Sequence, residues 1–178
     1  MKYCPICTTE LESKLLTSED RERLICISES CTYIHYDNPT PVVAAIVDYQ
    51  DQILLAHNTL WPPSWYGLVT GFLEKGESPE QGIIRELKEE TDLEAKEVSL
   101  VGLYTFERMN QLIIAYHVVA SGEIKLNEEL DDYKLFAKDK VRYWPSGTGF
   151  ALRDYIKSVL PGHEPGLMEF ARPASHEN

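Results

Sequence analysis

The tightest constraint on this chain is a short stretch in which a helix start and three clustered glutamates occur together. Ser78, Pro79 and Gln81 form a capping-box pattern. The Ser78 hydroxyl can accept from the amide of residue 81, the Gln81 side chain can accept from the amide of Ser78, and proline suits the first helical position. The pattern predicts a helix running to about Thr91. On it, Glu86, Glu89 and Glu90 stand at i, i+3 and i+4 and share one face. Like charges at this spacing repel by about a few tenths of a kcal/mol per pair even when exposed. A divalent cation relieves that repulsion. Mg²⁺ takes octahedral oxygen coordination and keeps water positions that phosphate oxygens can fill, so such a face can recognise a pyrophosphate. For the three carboxylates alone, a merely solvated acidic face is the competing reading.

The sequence around this helix predicts strands. Val42 to Tyr49 is a near-continuous apolar run, Asp48 to Gln52 supplies turn residues, and Ile53 to Ala56 is apolar again, a pattern of paired strands. Val98 to Phe106 and Leu112 to Ala120 have strand character, and Phe150 to Leu160 has helical spacing at Leu152, Tyr155, Ile156 and Leu160. Strands around a central helix, with another helix at the end, predict an α/β domain. Trp61-Pro62-Pro63-Ser64-Trp65-Tyr66 reads as a rigid aromatic loop, Asn127 to Asp132 as an acidic loop, and the chain from Pro161 onward as an irregular tail.

Gly71, Glu77, Arg85, Glu86, Glu89 and Glu90, with aliphatic Leu87 and Leu93, fit the pattern G-x5-E-x7-R-E-U-x-E-E-x-G-U, where U is aliphatic. The segment therefore resembles the Nudix box, and the resemblance extends over Val42 to Leu160. Asp92 stands where the family has glycine, and Asp is among the few residues that tolerate the left-handed conformation a helix end uses. The resemblance implies a Nudix-type α/β/α sandwich with a mixed sheet. It also implies hydrolysis of a nucleoside diphosphate linked to another moiety, by water attack on phosphorus with Mg²⁺ or Mn²⁺ as cofactor. By the same resemblance Glu86, Glu89 and Glu90 ligate the metal, the Gly71 carbonyl adds a ligand, and Glu77 pairs with Arg85 to lock loop to helix. A further carboxylate is expected downstream, where Glu128 and Glu129 stand, with Glu129 favoured.

A formal net charge of -12, from 17 Lys and Arg against 29 Asp and Glu, argues against capture of nucleic acid. It fits a protein that places metal ions between its own carboxylates and a small nucleotide substrate. No apolar run reaches the ~18 residues of a membrane span and the start lacks a signal peptide, so the cytoplasm is the expected compartment and no membrane partner is implied.

In a reducing compartment four cysteines read as metal or redox chemistry. Cys4 and Cys7 enclose two residues, and Cys26 and Cys31 enclose four. Two close pairs suit tetrahedral thiolate coordination of a structural Zn²⁺. A Cys-x-x-Cys redox motif is the rival for Cys4 and Cys7, but it leaves Cys26 and Cys31 unexplained. The expected division is a zinc ribbon over 1–38, a Nudix domain over 39–160 and a tail over 161–178. A four-cysteine module ahead of a Nudix domain is similar to the NADH pyrophosphatase branch. That likeness implies a homodimer, Tyr36 and Phe72 as residues stacking on a base, and Ala151 of Gly149-Phe150-Ala151 at the pocket or dimer contact. The branch's downstream Ser-Gln-Pro-Trp-Pro-Phe motif is absent, since Leu103-Tyr104-Thr105-Phe106-Glu107-Arg108 occupies that stretch. ADP-ribose, FAD, nucleotide sugars, dinucleoside polyphosphates and a NAD-capped RNA end therefore stand beside NADH as substrate classes. The alternative from another class is a nucleotide-sensing Nudix-fold protein without catalysis; such sensors tend to lose box carboxylates, and all three are present here.

Overall fold

The structure, a computed structural model, describes residues 1–168. They divide into two units, Met1–Asn38 and a second that begins at Pro39. The first unit holds an antiparallel meander of β1 (Leu11–Leu16), β2 (Arg21–Cys26) and β3 (Ile34–His35). Sequence patterning marks no strand here, because only the ends turn inward: Leu11 and Cys26 are buried while the residues between them are exposed or half-buried. The interior is small and made largely of cysteine, with Cys4, Leu11 and Cys26 surrounded by Cys7, Leu24, Cys31 and Tyr33.

The second unit is built around β4 (Thr40–Tyr49), the apolar run, followed by β5 (Gln52–Asn58), β6 (Val69–Phe72), α1 (Pro79–Thr91), β7 (Glu94–Phe106), β8 (Gln111–Ser121), β9 (Leu130–Ala137) and α2 (Thr148–Val159). The sheet runs β7-β8-β4-β5-β9, with β6 also on β4. β4 pairs with β8 in parallel and with its other neighbours antiparallel, so the sheet is mixed. Its other edge is shared: Val42 to Ala45 pair with β6, and Val47 to Tyr49 pair with β5.

Because helices cover both faces, β4 has no solvent side, which explains an apolar run without alternation. Val43, Ala45 and Val47 pack with Ile83 and Leu87 of α1. Val42, Ala44 and Ile46 pack with Leu152 and Ile156 of α2. The result is the expected α/β/α sandwich.

Several expectations are revised. The acidic loop expected to Asp132 ends at Leu130, where β9 begins. This edge strand exposes Asp131, Asp132 and Lys134, charges that discourage pairing with other chains and also mask a strand pattern. β7 starts at Glu94 rather than Val98 and carries two register shifts. α2 starts two residues before Phe150. Residues 161–168 form no helix or strand, but Tyr143 donates to the Gly166 carbonyl at 3.0 Å and accepts from Met168 at 2.7 Å, which pins this part of the expected tail. Residues 169–178, with Arg172-Pro173-Ala174-Ser175, lie outside the described residues.

Candidate active site and metal centre

The loop from Gly71 to Glu77 and the first turn of α1 are set by the capping box. The Ser78 hydroxyl accepts from Gln81 at 3.2 Å and the Gln81 side chain accepts from the Ser78 amide at 2.8 Å. At the other end Asp92 takes φ 58° and ψ 10°, the left-handed conformation anticipated for it. Lys88 pairs with the Asp92 carboxylate, which it holds below the usual carboxylate range.

Arg85 uses all five of its guanidinium donors. Nε and Nη2 make a fork on Glu77 at 3.1 and 2.7 Å, Nη2 also reaches the Phe72 carbonyl at 3.2 Å, and Nη1 donates to Glu86 at 2.8 Å and Glu89 at 3.0 Å. The fork lowers the Glu77 pKa. The bonds to Glu86 and Glu89 go beyond the loop-locking role expected from sequence, since Arg85 also orients two of the three clustered carboxylates. Lysine offers three donors around a point charge and cannot reproduce this pattern. Arg85→Lys is therefore expected to lower any hydrolytic rate by ~10–100-fold while costing only about 1–2 kcal/mol of stability. Paired rate and thermal-melt measurements check this, and a rate within twofold of the parent protein's would refute it.

Gly71 stands against Glu86: a β-carbon at position 71 would lie 1.9 Å from the Glu86 carboxylate carbon. The glycine is thus a matter of volume, admitting the carboxylate beside the backbone. Glu90 is buried, at 8% exposure. Burial, together with the charges of Glu86, Glu129 and Glu89, pushes its pKa up to about 8. Burial also raises that of Glu86. Glu129 acts on both, and the reason lies in the backbone. Lys125 donates to the Thr91 carbonyl at 2.9 Å, Asn127 to the Glu90 carbonyl at 3.2 Å, and the Asn127 side chain accepts from the Glu129 amide at 3.0 Å. The segment after β8 is stitched to the end of α1, bringing Glu129 toward the helix glutamates.

The raised Glu90 pKa has a consequence for stability. Below pH 4.5, the ordinary glutamate value, folded and unfolded chains both hold the proton; between 4.5 and about 8 the unfolded chain releases it while the folded chain keeps it. Stability of the metal-free protein should therefore fall across this window and level off above it. Glu90→Gln should remove that part of the slope and raise Tm near pH 8 by several degrees, about a few kcal/mol. Melting curves of both proteins from pH 4 to 9 in chelator test it; identical profiles would contradict the burial argument.

Beside β6, on the α2 side of the sheet, lies a cavity of about 530 Å³ lined by Thr70, Trp61, Trp65, Phe106, Arg108 and Trp144 among others. Thr70 precedes Gly71, so one strand carries the cavity wall and the glycine that receives Glu86. The chain's three tryptophans all line this cavity. Sequence reasoning marked Trp61 to Tyr66 only as a rigid loop and did not single out Phe106, Arg108 or Trp144, which lie far apart in the chain. Phe72 is 57% exposed and does not line the cavity. Ala151, expected at the pocket or dimer contact, is wholly buried beside Leu152 and Ile156; Gly147 and Thr148 reach the cavity from that segment instead. Tyr36 belongs to the first unit, 43% exposed, with the Arg23 guanidinium 5.1 Å from its ring centre.

In the first unit the sulfurs of Cys4, Cys7, Cys26 and Cys31 all lie within 4.8 Å of one another, the one such ligand cluster found among the described residues. The closest approaches pair across the sequence, Cys4 with Cys31 at 3.7 Å and Cys7 with Cys26 at 3.4 Å, and no disulfide forms. Tetrahedral thiolates at ~2.3 Å from zinc stand about 3.8 Å apart, so the cluster fits that ion. The Ile6 amide donates to the Cys4 sulfur at 3.4 Å. The redox reading of Cys4 and Cys7 alone does not account for a group of four.

Residues 38–156 match the NUDIX domain family, and residues 2–37 match the zinc-ribbon family described as Nudix N-terminal. Among similar proteins are the NAD-capped RNA hydrolases NudC of Pseudomonas aeruginosa, 28% identical over 84% of this chain and 52% of the relative, and of Vibrio vulnificus, 31% identical over 83% and 56%. The chain spans about half the length of the curated relatives it matches. Among solved structures, a NUDIX hydrolase from Nitrosomonas europaea shares the fold with a TM-score of 0.71 at 24% identity, covering 94% of this chain and 97% of that one. With the charged residues of its box in place and its second unit matched from end to end of the sheet, the chain belongs to the Nudix family.

Proposed function

We propose that this protein hydrolyses the pyrophosphate bond of a nucleoside diphosphate linked to another moiety. The observation that carries the reading is the arrangement around α1: Arg85 orients Glu86 and Glu89, the charges of Glu89 and Glu129 act on Glu86 and on buried Glu90, and an aromatic cavity of about 530 Å³ opens beside the strand leading to Gly71. The glutamate oxygens are hard donors that suit Mg²⁺ or Mn²⁺, and neutralising their mutual repulsion favours a bound cation. In this reading Glu86, Glu89, Glu90, Glu129 and the Gly71 carbonyl hold the ion. Bound there, the ion supplies an activated water and neutralises the leaving phosphate. The chain's own contribution is to orient the ligands through Arg85 and Glu77, and to bury Glu90 away from bulk water.

The cavity's tryptophans and Phe106 offer flat apolar faces for a nucleobase. The similar proteins named above act, by name, on NAD-capped RNA, which places a dinucleotide-type pyrophosphate first among the classes to test. The same reading includes Zn²⁺ on the four cysteines of a ribbon over 1–38, a Nudix domain over 39–160, a homodimer, and a cytoplasmic location. The last two rest on family resemblance and on thiols that suit a reducing compartment. The test is incubation with Mg²⁺ and NADH, ADP-ribose, FAD, a nucleotide sugar, a dinucleoside polyphosphate and a NAD-capped RNA, with products identified by mass. Cleavage between the two phosphates of at least one compound, abolished by chelator, is the expected result. Stoichiometric binding without product would favour a sensor and overturn the proposal.

A further inference from the structure

The aromatic loop between β5 and β6 is closed at its base, where Ala56 and Gly67 exchange hydrogen bonds of 2.9 Å each. It is also fastened at its middle, by a residue the catalytic reading does not use. His57, at 7% exposure, places Nδ1 2.5 Å from the Asp131 carboxylate and Nε2 3.1 Å from the Pro62 carbonyl. Both partners can only accept, so both bonds form together only when the ring carries two protons. The strand pairing explains why Asp131 is available. Between β5 and β9 the register shifts at His57, which pairs with Asp132, while Asn58 pairs with Leu130. Asp131 is the extra residue of that bulge, and bulges re-aim side chains.

The two ends of this clasp lead to different parts of the site. On the Pro62 side, the same carbonyl accepts from the Trp65 amide at 2.9 Å, and the loop carries Trp61 and Trp65 into the cavity. On the Asp131 side, the chain lies two residues from Glu129, whose carbonyl accepts from Thr59 at 2.9 Å. A second tie runs beside it, with the Tyr66 hydroxyl donating to Asp132 and Lys134 standing 3.9 Å from the Tyr66 ring centre. The groups facing His57 are thus Asp131 and Asp132 from β9 and Tyr66 from the loop.

We infer that His57 is a positioning residue, whose doubly donating ring fastens the Trp61–Trp65 wall of the cavity to the strand start beside Glu129 and so sets affinity for the base of the substrate. The link to substrate rests on the hydrolase reading above; the clasp itself does not. The neighbouring carboxylates raise the His57 pKa, in keeping with a ring that keeps both protons at neutral pH. His57→Gln removes the ring, and Asp131→Asn removes the charged acceptor while leaving β5 untouched.

Because all three tryptophans line the cavity and two of them sit on the clasped loop, acrylamide quenching of tryptophan-selective fluorescence reports on this cavity. Both variants should quench about twofold more steeply than the parent protein at pH 7, with unchanged zinc content. The parent's quenching should rise as pH passes above the ordinary imidazole range, and that of His57→Gln should stay flat. For whichever panel compound is hydrolysed, KM should rise about tenfold with kcat within twofold, the mark of lost binding rather than lost chemistry. Unchanged quenching in both variants overturns the clasp, and a loss of kcat with KM unmoved overturns its role in substrate affinity. If His57→Gln does not fold, Asp131→Asn decides the matter. The quenching measurements need no substrate, so an absence of hydrolysis counts against the catalytic reading while leaving the clasp to stand or fall on its own.

Discussion

Turnover by Glu90→Gln and by Glu89→Gln is expected to fall by about a thousandfold or more in saturating Mg²⁺, because each change removes both an oxygen ligand and a charge that holds the cation where water must be activated. The fold should survive in both. Glu89 is largely exposed, and Glu90 sits in an environment that already favours its uncharged form, so glutamine fits there without new strain. The two variants differ in a useful way. Glu89 is tied to Arg85, so its loss also frees a guanidinium donor; Glu90 has no such tie among the described hydrogen bonds and ion pairs, and its loss should leave the Arg85 network as it was. Steady-state rates with circular dichroism on the same samples decide the matter. Near-normal turnover in both folded variants would end the assignment of the box to metal-assisted hydrolysis.

Cys7→Ser is expected to release zinc and unfold the first unit. Its interior consists of the cysteines with Leu11, Leu24 and Tyr33, and a piece of about forty residues buries too little apolar surface to fold without a metal or disulfide. Hydrogen exchange should show residues 1–38 losing protection while the sheet of the second unit keeps it. Metal analysis should fall from one zinc per chain to none. A Cys7→Ser protein that kept both its zinc and its protection would show that the cluster is not what holds this unit. Mg²⁺ should not substitute, since thiolates are soft ligands and it prefers oxygen.

Both predictions concern features that were legible in the sequence, and the reason is the same in each case. A metal site and a capped helix are specified by residue types at short, fixed spacings, such as Cys4 with Cys7 or Ser78 with Gln81, and spacing survives in a linear string. β4 was legible for a related reason, because burial on both faces leaves an uninterrupted apolar run. What stayed hidden depends on contacts between distant segments. Trp61, Phe106, Arg108 and Trp144 meet at one cavity only because β8 lies parallel to β4 and α2 returns over that face. His57 and Asp131 are 74 positions apart and meet through a bulge that no local pattern announces. β9 was hidden by its own charges, since an edge strand facing solvent carries the composition of a loop. The placement of Ala151 is hidden for the same reason, because which helix face it occupies depends on where α2 begins.

Asp92 bears on how the box itself should be understood. At φ 58° the residue occupies the angle that glycine adopts freely, and Lys88 and Lys125 stand at its carboxylate, offsetting a negative charge at the helix end where the dipole disfavours one. The eighth fixed letter of the signature is therefore an instruction about a dihedral angle written in the alphabet of side chains. A search that demands glycine there discards chains that obey the instruction by other means, and a search that accepts Asp or Asn with a basic residue four positions earlier would recover them without loosening any position that touches the cation.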